Sequence, residues 1–162
     1  MDGDHEAILA WLNLSQAHAV LRTGLGRALE AEAGIGLSEV EVLRRLASAP
    51  DARLRMRDLA DQLFIAQSGV TRIVDRLVSQ GWVTRVQPPD DRRTVYALLT
   101  PAGRSAVERA VPVYVRVVSD QLGQHLSPED LGELRRVLRV VLEGLGQWDE
   151  VRCNPNPDAP AP

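Results

Sequence analysis

Residues 57–103 read RDLADQLFIAQSGVTRIVDRLVSQGWVTRVQPPDDRRTVYALLTPAG, and the periods in this stretch decide the fold. From Met56 to Leu63 the spacing predicts a short helix. Phe64-Ile65-Ala66 is a turn, and Gln67 to Gln80 predicts a second helix, stopped by Gly81. Leu59, Leu63, Val70, Val74 and Leu77 recur at helical spacing and would pack the two helices together. Trp82-Val83-Thr84-Arg85-Val86 reads as a strand, Gln87 to Thr94 as a charged hairpin tip, and Val95-Tyr96-Ala97-Leu98-Leu99 as the returning strand. A helix-turn-helix followed by a two-stranded wing is therefore expected. The polar side of the second helix carries Gln67, Ser68, Thr71 and Arg72, with donors and acceptors suited to base edges and phosphates. That chemistry points to double-stranded DNA.

Outward from this core, residues 6–32 predict one long amphipathic helix, with Ile8, Trp11, Leu12, Leu14, Leu21, Leu25 and Leu29 as its apolar positions. Gly24 and Gly26 weaken it and leave room for another helix to approach. Gly34-Ile35-Gly36 breaks it. Ser38 and Glu41 are spaced as a capping box, opening a helix to about Ala47 with Val40, Leu43 and Leu46 inward. Pro50-Asp51-Ala52 is a turn. Beyond the wing, Thr100-Pro101 supplies an N-cap with proline at the first helical position. The helix that follows shows Val107, Val111, Tyr114 or Val115, Val118 and Leu122, with Pro112 expected to kink or weaken it. Ser127 to Asp130 opens a last helix. There Leu131, Leu134, Leu138, Val141, Leu145 and Trp148 recur as a heptad seam. The seam fits a partner helix from a second copy, or packing on its own domain. The Pro-rich tail 151–162 is expected to be disordered.

These elements give a mainly α chain with a small β-wing. The expected layout is an N-terminal dimerisation helix over 1–36, a winged helix-turn-helix domain over 37–100, C-terminal dimerisation helices over 101–150 and the tail.

Of the 162 residues, all 19 basic ones are Arg. Residues 53–104 carry a net charge of +4 and the remainder −7. An acidic protein with one basic segment suits a DNA reader whose field is concentrated on one face, and equally a solvated Arg-rich surface. The acidic start of the chain lacks a basic n-region, so no secretory signal is expected. No apolar run has the length of a membrane span. Cys153 stands alone, which predicts no intrachain disulfide and a cytoplasmic setting.

Two motifs carry a resemblance. Ser68-Gly69-Val70-Thr71-Arg72-Ile73-Val74-Asp75-Arg76-Leu77 is similar to the recognition helix of the MarR family of bacterial transcriptional regulators. Asp91 to Gly103 resembles that family's wing and its Leu-Thr-x-x-Gly helix start. The resemblance covers roughly residues 6–148. It implies a homodimer with interleaved terminal helices, a palindromic operator, repression of a nearby gene, and relief by a small, often aromatic and anionic, ligand. It also implies that Arg93 enters the minor groove, with Arg92 beside it at the tip and Asp91 bracing the wing. A guanidinium suits the negative potential of a narrow minor groove. One departure is Ala66, which stands where the family has a capping Ser or similar and offers no acceptor to the recognition helix.

The expected DNA-binding residues are thus Gln67, Ser68, Gly69, Thr71, Arg72, Arg76, Asp91, Arg92 and Arg93. Arg72 reads as a base or phosphate contact, or as a surface ion pair. Arg76 reads equally as a phosphate contact or as a pair that holds its helix. Arg53, Arg55 and Arg57 read as contacts to flanking phosphate or as a solvated face. Trp11, His18 and Arg22 lie broadly on one side of the first helix. They would suit an aromatic carboxylate, although Trp11 in a dimer core and Arg22 in solvent fit the same pattern. The three His residues are widely spaced, so no metal or other cofactor is expected. No phosphate loop, Gly-x-Ser-x-Gly or nucleophile with a base is present, so no enzymatic activity is expected. The competing reading is a winged-helix dimer that serves as a protein-interaction module without DNA.

Overall fold

The computed structural model describes residues 2–89 and 93–149. Asp91 and Arg92, Cys153 and the tail lie outside the described residues. Helix α1 (Asp2–Ala33) is the longest element, and Gly34 ends it with φ +67°. Ile35 drops into the core and α2 (Leu37–Ser48) begins at once. A 3-10 turn at Pro50–Ala52 leads to β1 (Arg53–Arg55), α3 (Met56–Leu63) and α4 (Gln67–Ser79). Then come β2 (Val83–Val86), β3 (Tyr96–Leu99), α5 (Pro101–Gly123) and α6 (Pro128–Gly144). Helix α1 is the long helix the periodicity predicts. β1 is an addition, since three residues carry too short an alternation to be read. Its register pairs Leu54 with Ala97, and the antiparallel sheet runs β1-β3-β2.

The core lies where α2, α3, α4, the sheet and α5 meet. Val40, Leu43 and Leu46 of α2, Leu59 of α3, and Val70, Val74 and Leu77 of α4 are fully buried, as their spacing requires. Leu63 is only partly buried, and Ile73 joins the core unforeseen. Leu25 and Leu29 bring the C-terminal half of α1 onto this core. On α5 the ambiguity at positions 114 and 115 resolves. Tyr114 is half-buried and Val115 is exposed.

Two local expectations need correction. The cap of α2 is not Ser38 with Glu41. The helix starts two residues earlier, with Gly36 as its N-cap, and the Glu39 carboxylate accepts from Gly36 N–H at 3.1 Å. Glu41 is drawn instead to Arg22 on α1, at 2.7 Å. Pro112 lies inside α5 as expected, and the helix continues through it to Gly123. The seam of α6 is shorter than its repeat. The helix stops at Gly144, so Trp148 lies beyond it and packs under Arg139, 4.8 Å from guanidinium carbon to ring centre.

The Ser127–Asp130 cap forms as read, with reciprocal backbone bonds of 3.0 and 3.2 Å. The Ser127 hydroxyl, then its N–H, hold the Asp130 carboxyl below the ordinary value of 3.8. A lowered folded value means that this cap supports α6 at neutral pH and is lost as pH falls through that value.

α6 has no buried residue. Val137, Val140 and Val141 are exposed on it, as are Ile8, Trp11, Leu12, Leu14 and Val20 on α1. Single exposed apolar residues are ordinary, but two helices with this many are not.

Candidate nucleic-acid interface

The face opposite the buried side of α4 is polar and open. Gln67, Ser68, Thr71 and Arg72 are all exposed, and Gly69 is half-buried. The helix starts at Gln67, so the missing acceptor at Ala66 does not delay it. The first turn is closed by Gly69 N–H and Val70 N–H onto the Ala66 carbonyl, at 2.9 and 3.2 Å. Thr71 donates its hydroxyl to the Gln67 carbonyl at 2.9 Å. In this rotamer it offers a base only its lone pairs and its methyl group. A Cβ on Gly69 would sit 3.7 Å from Ile65 Cδ1, an ordinary contact, so packing alone does not demand glycine there.

Two ion pairs flank α4, one step past these exposed polar residues. Arg76 Nε lies 3.2 Å from Glu39 Oε1 on α2. Arg85, on the first wing strand, pairs with Asp75 and also donates to the Thr71 carbonyl at 3.4 Å. Strand alternation could have signalled Arg85. It lies on the same face as buried Val83, where a cation needs an acid. Glu39 had no comparable signal, because an acidic residue in the first turn of a helix ordinarily serves the helix terminus alone.

The wing hairpin places Arg93 exposed near its tip. At the other edge of the sheet, Arg53 and Arg55 lean over the Tyr96 ring at 5.3 and 5.7 Å, and Arg55 Nε donates to the Tyr96 hydroxyl at 3.0 Å. Arg53 also approaches Asp51, at 3.5 Å, and Arg57 approaches Asp61, at 3.9 Å.

A cavity of about 200 Å³ lies between α1, α2 and α5. His18 and Arg22 line it, with Glu41, Tyr114 and Gln121. Trp11 does not. It is two helical turns away from His18, about 10 Å along the axis, and is 67% exposed. Arg44 stacks on Tyr114 at 4.8 Å. Among the described residues no cluster of three His, Cys, Asp or Glu could hold a metal, and no helix is long and apolar enough to cross a membrane.

A MarR family model matches residues 33–94, from the end of α1 to just before β3. A MarR family transcriptional regulator of Streptomyces coelicolor, solved in complex with DNA, superimposes with a TM-score of 0.77 at 35% identity. The match covers 87% of this chain and 88% of that one. The chain belongs to the MarR family. The HTH-type transcriptional repressor YetL of Bacillus subtilis is 32% identical over 120 residues, covering 73% of this chain and 71% of YetL. The multiple antibiotic resistance protein MarR of Escherichia coli is 31% identical over 85 residues, which span 52% of this chain and 59% of that relative. In this MarR-family chain the helix-turn-helix and the wing strands expected from sequence are both present. His18 and Arg22 meet at one cavity, and Trp11 stands apart from them.

Proposed function

We propose that this chain is a dimeric, sequence-specific DNA-binding transcriptional regulator that represses a nearby gene in the bacterial cytoplasm. The observation that carries this reading is the open polar face of α4, with Gln67, Ser68, Thr71 and Arg72, beside a wing bearing Arg93. An α-helix of this kind fits the major groove, and a guanidinium on a hairpin fits the adjacent minor groove. The segments 1–36 and 101–150 serve as dimerisation helices and 37–100 as the DNA-binding domain. A two-fold dimer reads a palindrome whose half-sites are about 34 Å apart. Footprinting on the promoter adjacent to the gene tests this. An inverted repeat should be protected, and binding to random duplex should be weaker and steeply salt-dependent. A chain that binds no duplex at low salt would instead be a protein-interaction module.

Dimerisation follows from the exposed apolar residues of α1 and α6. Sedimentation should give about twice the 17.8 kDa chain mass at micromolar concentration. A stable folded monomer would overturn the proposed arrangement of the terminal helices.

The cavity at His18 and Arg22 suits a small aromatic acid. Its carboxylate would take Arg22 from Glu41, releasing α2 from α1. A hundredfold loss of operator affinity needs roughly 2.7 kcal/mol of coupling between the two sites. Titration with salicylate should then show operator and ligand weakening each other by the same factor. Ligand binding with unchanged operator affinity would leave a constitutive DNA binder.

A further inference from the structure

Among the described residues Glu39 is the only buried charged or polar side chain. Its side chain is 10% exposed, and that of its partner Arg76 is 61% exposed. A carboxylate withdrawn from water to this degree must be satisfied by donors. Glu39 divides its two oxygens between two elements. Oε2 accepts from Gly36 N–H at 3.1 Å, which ties it to the start of its own helix. Oε1 faces Arg76 Nε at 3.2 Å, which ties it to α4.

The neighbouring residue on α4, Asp75, is held from a different side by Arg85 of β2. Adjacent residues on a helix point about 100° apart. The two pairs therefore hold α4 from two flanks, and a roll of the helix in either direction opens one of them. The residues that face the groove lie within the two turns before these anchors. Readout of base edges requires side chains to be held within about 10–20° of the productive direction.

We propose that Glu39 is a positioning residue for DNA recognition, and that Arg76 acts through it rather than as a phosphate contact. Glu39, through Arg76, sets the roll of α4 and thereby the direction in which Thr71 and Arg72 meet the bases. This rests on the reading of α4 as a recognition helix.

The test is a double-mutant cycle with Glu39→Gln, Arg76→Gln and both together, measured on the operator and on random duplex over a range of salt. Gln at 39 removes the charge, keeps one oxygen for Gly36 N–H and presents an NH2 group to Arg76 in place of Oε1. Each single change should lower operator affinity by roughly tenfold, with the double no worse than either. Random-duplex affinity should not fall, and the salt slope should stay at its wild-type value. The sign for Glu39→Gln is decisive. Removing a negative charge strengthens DNA binding by simple electrostatics, whereas lost positioning weakens it on the operator alone.

A direct phosphate role for Arg76 gives another pattern. Arg76→Gln would then lose about one unit of salt slope on both duplexes, with Glu39→Gln at or above wild-type affinity. That result, or wild-type operator affinity for both singles, overturns the proposal and leaves the DNA reading standing. If Glu39→Gln does not fold, Arg76→Gln decides alone by its slope and its operator-to-random ratio, because its side chain is mostly exposed. No duplex binding by the wild-type chain would sink the DNA reading, and this inference with it.

Discussion

Gly103→Ala is expected to lower folding stability by about 3 kcal/mol or more, the upper range for overpacking a rigid site. The added Cβ would lie 2.1 Å from the Trp82 carbonyl oxygen, 2.9 Å from its carbon and 2.8 Å from Leu99 Cδ1. The obstacle is backbone, and that backbone is held. Trp82 O accepts from Thr100 N–H at 3.0 Å, and the Thr100 hydroxyl donates to the Gly81 carbonyl at 2.7 Å while accepting from Gly103 N–H at 3.0 Å. Moving α5 away from Trp82 breaks this set at the junction of wing and helix. Gly24 provides the control. Its Cβ would also meet an atom at 2.1 Å, but that atom is Nε2 at the flexible end of Gln121. Gly24→Ala should be neutral or stabilising by up to about 1 kcal/mol from helix propensity. Urea midpoints measure both. Equal midpoints for the two variants would refute the close-approach account of the Leu-Thr-x-x-Gly motif.

Arg72→Ala and Arg93→Ala should damage DNA binding in different ways. Arg72 is exposed on the polar side of α4, one turn after Ser68. A bidentate contact from it to a base is worth roughly 1–3 kcal/mol, and its loss should relax sequence preference at one operator position per half-site. Arg93 is exposed on the wing. Its loss should weaken operator and random duplex together and reduce the salt slope by about one unit. Titrations of both variants against operator and random duplex at several salt concentrations separate the two. Equal, small losses on both duplexes would mean that α4 is not the reading helix.

The helix-turn-helix was legible because its signal is local. Leu59, Val70, Val74 and Leu77 repeat within a few residues, and the repeat is the physical cause of their burial. The wing was legible because two β-rich runs flank a charged tip, and the cap of α5 because Thr100 and Pro101 are adjacent. The same locality explains the misses. β1 offers too few residues for a period, and its strand character comes from β3. Ser38 and Glu41 satisfy a local capping pattern, but Arg22, 19 residues before Glu41, competes for its carboxylate and wins.

The order of helices, the buried stripes of α2, α3 and α4, and the exposed polar face of α4 were thus determined by the sequence alone, because each depends on neighbours within two helical turns. Tertiary structure decided which charges meet. Arg76 found Glu39, Arg85 found Asp75 and Arg22 found Glu41. Long side chains pair by where packed elements bring their ends, and that depends on the angles between helices. Those angles are set by the apolar contacts of the whole core, which no window of sequence contains.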